Sequence, residues 1–596
     1  MFLVECSVLA LLAVYLSASS ASPSAQRPFA SSKGTDKPGV GFEEADCSTW
    51  KLDVKPPLRC FFFETPLDYN NAADNRTARL AVLHYPAGAG KTPREQVQGS
   101  LFLNQGGPGV SGVQFLIESA EKYDKLVTNG AYDLIGWDPR GVGLTQPGAR
   151  CFRTLDDEYY DLVSPQSFRG ESDVGLSWAL QSLTLRAEVC SNAPVAPELP
   201  FVGTKSTVRD LRLMYKAVGD EGFNYYGLSY GTVIGNTFAT MYPNEVRRMV
   251  LDGVLDADDH YSGLWETSME DNEAVYRVGF LGECAKVRER CQLYKALQDQ
   301  QILDRLSDGE VASRLEDLIN GLLQRTRAKP PYSTGLETHP NGTIERLFPA
   351  QSVFYSRIKS LMFSSFYQPR TWKTMTEALA ELVGGNVTGF LLKTTYRLGY
   401  EAYKERKLKR PLSTGAAFRA IASADALQKL ATYDVDTVES RLDKLQEIAP
   451  FGAEVWINNQ MSIQTWRIEN NDKFTGNFTV VPKFPILYVG NDYDPVTPLS
   501  VAKKHAKLRE GSGLLRVKQY GHTSDPLISN CTSDTLRAYF LNGSVPLFGH
   551  NVDGDKDEVA GKVCTATVGP YDDQTHFEKM LRRPYSVFDS EHLGLI

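Results

Sequence analysis

The chain has 596 residues, and 64 Lys and Arg residues against 72 Asp and Glu residues give a formal net charge of −8. This acidic balance argues against a nucleic-acid-binding protein, which usually presents a basic surface. Hydrophobic residues make up 42% and charged residues 23% of the chain, which is typical of a large folded protein rather than of a disordered one.

Residues 1–21 have the layout of a secretory signal. The stretch 6–26 carries no charge, residues 8–16 are almost wholly apolar, and small residues follow, which places the predicted cleavage near Ala21. The start is unusual, because Glu5 stands where a Lys or Arg is typical. Since the apolar part is too short to cross a bilayer about 30 Å thick, we expect an exported, soluble protein with no membrane partner. Its destination would be the extracellular space or, as a second option, a vacuole.

Cysteine and asparagine usage fits this compartment. Nine cysteines less Cys6 in the signal leave eight, an even number that favours disulfides in an exported chain. In order they are Cys47, Cys60, Cys151, Cys190, Cys284, Cys291, Cys531 and Cys564. We expect sequential neighbours to pair, because short loops close most easily. Zinc is the alternative, but neither Cys-x-x-Cys nor His-x-x-x-His occurs. Six Asn-x-Ser/Thr sites predict a glycoprotein, and they are Asn75, Asn341, Asn386, Asn477, Asn530 and Asn542.

After a flexible Pro/Ser-rich segment at 22–41, short β-rich runs alternate with helical patterns. The predicted strands are 60–63, 80–84, 100–104, 132–137, 225–228, 248–254, 485–490 and 514–520. Amphipathic stretches lie between several of them, at 113–127, 207–218 and 232–242. Strands that alternate with helices indicate the α/β class, with a mostly parallel central sheet and helices on both faces.

Residues 256–479 break this alternation. Helical periodicity dominates there, at 311–323, 374–383, 416–431 and 438–447, with no clear strand alternation. We interpret the stretch as a large helical lid inserted between late strands. The core would then consist of 42–255 and 480–596, and the second part carries the C-terminal disulfide-bearing segment. Because ligands bind at the carboxyl edge of open α/β sheets, we expect an insertion at that edge to be functional.

The strongest local motif is Gly227-Leu-Ser229-Tyr-Gly231, which lies between a strand-like run and a helix-like one. Its two glycines allow a strained strand–turn–helix connection that lifts the Ser229 hydroxyl clear of the backbone. The alternative is a tight glycine turn with a capping serine. We predict that Ser229 is a catalytic nucleophile.

A serine nucleophile needs a base and a third group that orients the base. Among eight histidines, His522 directly follows the last predicted strand, where a Ser–Asp–His chain order places the base. Asp494 is the preferred acid, because it precedes that strand and two nearby prolines stiffen its loop. Asp492 is the nearer rival. Asp252 also satisfies the chain order, but we expect it to hydrogen-bond the turn into the insertion.

An acyl-transfer site also needs hydrogen-bond donors for the developing oxyanion. The run Gln105-Gly-Gly-Pro-Gly109 follows a predicted strand, and its glycines leave backbone N–H groups unobstructed. We assign the donors to the backbone N–H groups of Gly107 and of Tyr230, the residue after the candidate nucleophile. A plain glycine loop before a helix is the alternative.

Several motifs together resemble one family. They are Asn104-Gln-Gly-Gly-Pro-Gly-Val-Ser-Gly112, Trp137-Asp-Pro-Arg-Gly-Val-Gly-Leu-Thr145, Gly227-Leu-Ser-Tyr-Gly-Thr232, Val250-Leu-Asp-Gly253, Asp494-Pro-Val-Thr-Pro498 and an ending that runs from Gly521-His522 to Cys564. From Cys47 to Cys564 the chain resembles the secreted tripeptidyl-aminopeptidase-like branch of the prolyl aminopeptidase family of α/β-hydrolases.

This resemblance implies a serine exopeptidase that acts on free peptide N-termini. It implies a triad of Ser229, Asp494 and His522, with Gly107 and Tyr230 at the oxyanion positions. The expected substrate is a peptide or a small ester, with no metal or organic cofactor and no nucleic-acid partner. The nearest rival function is an esterase or lactonase that uses the same triad on a small metabolite. A catalytically inactive binding protein on this fold is a third hypothesis, which a complete triad disfavours.

The resemblance extends to substrate recognition. Acidic lid residues often bind the substrate ammonium in this family, and one helix would place Glu266, Glu270 and Glu273 on a shared face. Such a face is otherwise simply solvated. Gln105 departs from the His that begins the related motif in prolyl aminopeptidases, so a proline preference does not follow. Asp138 and Arg140 are implied to be structural and to hold the loop beside the site.

Overall fold

The computed structural model describes most of the chain beyond its N-terminus. The described residues are 41–154, 157, 167–298, 300–338, 343–348, 350–394, 414–430, 432–546 and 561–572. The predicted signal at 1–21, all but the last residue of segment 22–41 and the glycosylation site at Asn341 lie outside them. No helix within these ranges is both long and apolar enough to cross a membrane.

A ten-stranded sheet forms the centre of the fold. The strands of the described chain are β1 (Gly41–Ala45), β2 (Arg59–Pro66), β3 (Thr77–Tyr85), β4 (Ser100–Asn104), β5 (Asp133–Trp137), β6 (Phe223–Leu228), β7 (Val246–Asp252), β8 (Tyr332–Ser333), β9 (Leu336–Thr338), β10 (Ile344–Arg346), β11 (Gln351–Ser352), β12 (Leu487–Tyr493), β13 (Gly513–Tyr520) and β14 (Lys562–Thr565). The order across the sheet is β1-β2-β3-β5-β4-β6-β7-β12-β13-β14. The three pairings from β1 to β5 are antiparallel, and every later pairing is parallel.

Helices occupy most of the connections between these strands. They are α1 (Gly112–Tyr123), α2 (Gly175–Ser191), α3 (Thr204–Val218), α4 (Tyr230–Met241), α5 (Ala257–Ser262), α6 (Asn272–Ala274), α7 (Gly282–Val287), α8 (Gln292–Lys295), α9 (Gln300–Leu303), α10 (Asp308–Ala328), α11 (Tyr355–Tyr367), α12 (Trp372–Val383), α13 (Val387–Thr394), α14 (Thr414–Asp425), α15 (Val435–Ile448), α16 (Ala453–Thr465), α17 (Leu499–Leu508) and α18 (Asn530–Asn542). The prediction of a mostly parallel α/β sheet is confirmed, and each predicted strand overlaps a strand of the sheet. Strands β1, β14 and β8–β11 were not predicted.

Strand β6 shows why helices cover both faces of the sheet. Its six residues are all buried. Phe223 and Tyr225 belong to one hydrophobic cluster with α3 and α4, whereas Tyr226 and Leu228 belong to another with α1 and α18. Because successive side chains of a strand point to opposite faces, a continuously apolar strand must be covered on both sides.

The insertion lies between β7 and β12, which are neighbours in the sheet. It forms a largely helical unit, in which Ile319, Trp372 and Trp456 belong to a hydrophobic cluster that also includes Leu176 and Leu183 of α2. The sequence shows no clear strand alternation there, but four short strands are present, and β9 pairs with β10 and β8 with β11 in two small antiparallel sheets. We call this unit between β7 and β12 the helical insertion. Its boundaries at 256 and 479 stay a prediction.

Four disulfides join neighbouring cysteines, as predicted. The pairs are Cys47–Cys60, Cys151–Cys190, Cys284–Cys291 and Cys531–Cys564. The last pair connects α18 to β14, the strand that covers the outer edge of β13. A disulfide therefore fastens the strand next to the one that leads to His522.

Gly112, the first residue of α1, packs directly on the backbone of β5. A Cβ at this position would lie 2.1 Å from the carbonyl oxygen of Trp137, which cannot move without disturbing the sheet. We expect Gly112→Ala to lower the free energy of unfolding by about 1–3 kcal/mol, as overpacking generally does. Gly309→Ala in the first turn of α10 is the matched control, because a Cβ there meets no atom within 4 Å. Denaturant unfolding of both variants checks this, and equal stabilities would contradict the packing argument.

Candidate active site

Ser229 sits on the sharp turn between β6 and α4. Its backbone has φ 56° and ψ −125°, a strained conformation for a residue other than glycine. The flanking glycines are required by close contacts, since a Cβ on Gly227 would lie 2.4 Å from the Gly231 oxygen and a Cβ on Gly231 would lie 2.6 Å from the Asn104 oxygen. The turn leaves the Ser229 side chain partly exposed at the carboxyl edge of the sheet.

His522 and Asp494 meet at the same edge, beyond β13 and β12. The Nδ1 atom of His522 lies 3.0 Å and 3.1 Å from the two carboxylate oxygens of Asp494. Asp494 is fully buried and also accepts the backbone N–H groups of Val496, Thr497 and Thr523, at 2.8–3.0 Å. A carboxylate surrounded by donors favours a proton on Nδ1, which leaves Nε2 of the imidazole free to accept a proton.

The two rival acids bind elsewhere. Asp492 forms a two-point ion pair with Arg516, with distances of 2.6 Å and 3.1 Å. The carboxylate of Asp252 accepts the backbone N–H of Ser524 at 2.9 Å and the hydroxyl of Tyr226 at 2.9 Å. The expectation that Asp252 binds the turn into the insertion is therefore wrong, because its side chain reaches the loop that follows His522.

Asp252 connects the nucleophile turn with the histidine loop. Its carbonyl oxygen accepts the backbone N–H of Ser229 at 3.0 Å, while its carboxylate accepts both the N–H and the hydroxyl of Ser524. Burial raises the pKa of this carboxyl to about 6, although the Ser524 and Tyr226 donors favour the charged form. A single buried residue, through its carbonyl and its carboxylate, thus connects the two loops that carry Ser229 and His522.

The helical insertion contacts the histidine directly. The backbone carbonyl of Tyr367, the last residue of α11, accepts the backbone N–H of His522 at 3.0 Å. The Tyr367 ring packs edge-on against the imidazole, with ring centres 5.1 Å apart. On the core side, the Asn491 side chain donates to the carbonyl of Gly521 at 2.8 Å. Sequence reasoning missed both residues, because nothing in the α11 pattern singles out Tyr367.

The glycine loop after β4 lies against the nucleophile turn. Gly106 and Gly107 have φ values of 96° and 103°. A Cβ on Gly106 would lie 2.7 Å from the Tyr230 nitrogen and 3.0 Å from the Ser229 Cβ, so the two loops touch. Among the described residues, neither the Gly107 N–H nor the Tyr230 N–H has a protein acceptor. The Tyr230 N–H, next to Ser229 in the chain, and the Gly107 N–H, one residue after the contact at Gly106, are therefore without a protein acceptor in the described part of the chain.

Asp138 binds the same glycine loop at the end that leads into α1. Its carboxylate accepts the hydroxyl of Ser111 at 2.6 Å and the N–H of Val113 at 3.1 Å. Burial raises the pKa of Asp138 to about 6, even though these donors favour its charged form. Asp138 thus holds the end of the loop at the start of α1.

The three candidate ammonium-binding glutamates do not lie on one helix. A 3₁₀ turn at Thr267–Met269, the short helix α6 and a π-helical segment at Val275–Leu281 follow one another there, so the predicted single helix is wrong. Their carboxylates have separate partners, which are Arg441 at 2.7 Å from Glu266, Ser500 at 2.6 Å from Glu270 and Arg277 at 2.6 Å from Glu273. In the described part of the chain, only Glu270 of the three has no arginine partner.

A cavity of about 710 Å³ lies between the helical insertion and residues 169–176. Its lining includes Lys359 and Glu454, which form a buried ion pair at 2.8 Å. None of Ser229, Asp494 and His522 lines this cavity. It is therefore separate from the candidate catalytic residues.

Comparisons with known proteins agree with this fold. Residues 99–294 match a family model described as alpha/beta hydrolase fold, and residues 449–552 match one described as TAP-like protein. Serine protease Hip1 of Mycobacterium tuberculosis is 26% identical over 525 residues, which cover 86% of this chain and 91% of that protein. Tripeptidyl aminopeptidase of Streptomyces lividans is 26% identical over 529 residues, which cover 85% of each chain. Carboxylesterase B of Mycobacterium tuberculosis is 25% identical over 501 residues, which cover 82% of this chain and 85% of that protein.

The parallel sheet, the strand–Ser229–helix turn and the two family-model matches place the chain in the α/β-hydrolase superfamily. Within that superfamily it is a serine hydrolase with a TAP-like C-terminal part, similar over most of its length to Hip1 and to tripeptidyl aminopeptidase.

Replacing the carboxylate that contacts His522 tests the choice of acid. We expect Asp494→Asn to slow the labelling of Ser229 by a fluorophosphonate about 10⁴-fold, because an amide favours the wrong imidazole tautomer. Asp492→Asn is the matched control, since it removes a carboxylate only two residues away whose partner is Arg516. Its labelling rate should stay within about threefold of the wild type. A large loss in Asp492→Asn and none in Asp494→Asn would reverse the assignment.

The raised pKa of Asp252 predicts a pH-dependent stability. Because its folded value of about 6 lies above the unfolded value, the stabilising contribution is present at low pH and is lost as the pH rises through about 6. Asp252→Asn removes this contribution. The free energy of unfolding of the wild type relative to the variant should therefore be larger at about pH 4.5 than at about pH 7.5. A difference that is the same at both pH values would show that Asp252 does not titrate in this range.

Proposed function

We propose that the protein is an exported serine exopeptidase that releases single residues or short peptides from free N-termini. The observation that carries the proposal is the contact between the buried Asp494 and the partly exposed His522, at the sheet edge that also carries Ser229. Similarity to Hip1 and to tripeptidyl aminopeptidase over more than four fifths of the chain supports a peptide substrate.

In this proposal, Nε2 of His522 takes the proton of the Ser229 hydroxyl while the Ser229 oxygen attacks the scissile carbonyl. Asp494 keeps the imidazole in the required tautomer and stabilises the positive charge that it gains. The N–H groups of Gly107 and Tyr230 bind the negatively charged oxygen of the tetrahedral intermediate. His522 then gives its proton to the leaving amine, and water releases the acyl group from Ser229 by the same steps in reverse.

The proposed lid is the helical insertion, predicted as residues 256–479. Its contact with His522 through Tyr367 supports this role, because the insertion lies beside the proposed base. Four disulfides support export, as does the signal-like sequence at 1–21.

Of the three candidate glutamates, Glu270 is the one we retain for binding the substrate ammonium, since an arginine already neutralises each of the others.

An esterase acting on a small metabolite is the second candidate function. The same three residues would perform it, and the similarity to carboxylesterase B over 82% of the chain favours keeping it. The two functions differ in one requirement, because only the exopeptidase depends on a free substrate amine.

Two matched peptides that differ only in N-terminal acetylation distinguish these functions. If an ion pair holds the free amine, the acetylated peptide should be cleaved about 10- to 100-fold more slowly, because hydrogen bonds to charged groups contribute about 1.5–3 kcal/mol. Mass spectrometry of the products identifies the bond that is cut. Ser229→Ala should abolish cleavage and fluorophosphonate labelling together. Hydrolysis of simple esters without any cleavage at free N-termini would favour the esterase.

A further inference from the structure

A chain of buried polar side chains runs from the helical insertion to Tyr230. The Tyr230 hydroxyl lies 2.5 Å from the hydroxyl of Thr204, the first residue of α3. The Thr204 hydroxyl lies 2.5 Å from a carboxylate oxygen of Asp425, the last residue of α14. Nε2 of His260, in α5, lies 3.0 Å from the same carboxylate oxygen. Helices of the core and of the insertion therefore meet at Asp425.

Proton counting fixes the direction of every hydrogen bond in this chain. A carboxylate only accepts, so the single hydroxyl proton of Thr204 goes to Asp425. The Tyr230 hydroxyl must then donate to Thr204, and burial holds the pKa of Tyr230 well above its usual value, so this proton is retained. His260 donates to Asp425 through Nε2. Each donor in this series of hydrogen bonds has one acceptor, and the series ends at the Asp425 carboxylate.

The environment makes these bonds strong. Thr204, Tyr230, His260 and Asp425 are each at most 2% exposed. Asp425 also accepts the backbone N–H of Thr204 at 2.8 Å, which places its negative charge at the N-terminus of α3. Hydrogen bonds are stronger in such a low-dielectric interior, and a lost partner leaves a costly unpaired group. The Tyr230 ring is therefore held from its hydroxyl end.

Aromatic packing restricts the same ring from the side. The His260 ring centre lies 5.4 Å from the Tyr230 ring centre, and Trp265 stacks on His260 at 5.2 Å. Tyr230 carries the backbone N–H next to Ser229, and its side chain is joined to that peptide unit through one Cα atom. Fixing the ring therefore limits how far the N–H can tilt.

We propose that Thr204 and Asp425 are positioning residues for the oxyanion-binding N–H of Tyr230, and that the helical insertion acts on this donor through them. The inference rests on the proposed function, in which Tyr230 supplies one of two donors. Removal of a whole oxyanion donor typically costs about 10²–10³ in kcat. Loss of its alignment, with the N–H still present, should cost less.

Thr204→Val and Thr204→Ser separate the hydroxyl from the size of the side chain. Thr204→Val keeps the shape and the backbone bond to Asp425 but cannot accept from Tyr230. We expect kcat to fall about 10-fold with KM changed by less than about twofold, because the donor acts mainly in the transition state. Thr204→Ser retains the hydroxyl and should restore most of kcat. A peptide aldehyde, which forms a tetrahedral adduct with the serine, should bind Thr204→Val weaker by the same factor.

Tyr230→Phe removes the same hydrogen bond from its other end and leaves the backbone N–H in place. The double variant Thr204→Val/Tyr230→Phe should lose about as much kcat as either single variant, since each single variant already removes the Tyr230–Thr204 bond that holds the ring. Tyr355→Phe is the matched control, because the Tyr355 hydroxyl donates to the Glu454 carboxylate at 2.7 Å inside the helical insertion, away from Thr204 and Asp425. Its kcat should match the wild type.

The outcomes distinguish this inference from the proposed function. A wild-type protein without turnover or Ser229 labelling would contradict the proposed function itself. If the wild type is active and the folded Thr204→Val variant keeps its kcat, the positioning role is wrong. A loss of kcat in Thr204→Ser or Tyr355→Phe equal to that in Thr204→Val would likewise overturn it, because the effect would then come from general loosening of the helical insertion. Melting temperatures of all variants establish that each is folded.

Discussion

The hydrogen bonds of Asp252 are the constraint on which the candidate site depends. Strand β7 ends at this residue, and its carbonyl and carboxylate bind opposite partners, the N–H of Ser229 and the side chain and backbone of Ser524. Parallel neighbours in the sheet bring β6, β7, β12 and β13 to one edge, but they do not fix the loops beyond it. Asp252, a buried acceptor between the two loops, fixes their relative position. This contact requires a carboxyl group in an interior where burial raises its pKa.

The helical insertion makes direct contacts with the residues and loops of the candidate site. It reaches the proposed base through the carbonyl of Tyr367 and the loop of the proposed acid through Asn272, whose side chain donates to the Pro495 carbonyl at 3.1 Å. Through Asp425 it also reaches the first turn of α3. Three separate elements of the insertion thus contact three separate parts of the candidate machinery. Cutting the insertion out would leave buried donors and acceptors of the core without partners.

Much of the fold followed from local patterns, whereas the supporting contacts did not. Strands β4 and β6 are easy to predict from the sequence, because both faces of each strand are buried and most of their residues are apolar. Strand β1 escaped prediction because Gly41-Phe-Glu-Glu-Ala45 has only one fully buried residue, and β14 because it is four residues long. The candidate triad residues stand beside glycine and proline signals. Tyr367, Asn491 and Thr204 carry no such signal, since their importance arises from partners more than 25 residues away.

The position of β14 determines when, during synthesis, the sheet beside His522 can be completed. This strand, at residues 562–565, pairs with β13 and is linked to α18 by the Cys531–Cys564 bridge. Until it is made, the strand that leads to His522 is an exposed edge of the sheet. Synthesis proceeds from the N-terminus, so this edge is covered only after residues 562–565 have been made. The loop that carries His522 therefore leaves a fully paired strand only once β14 has been added to the sheet.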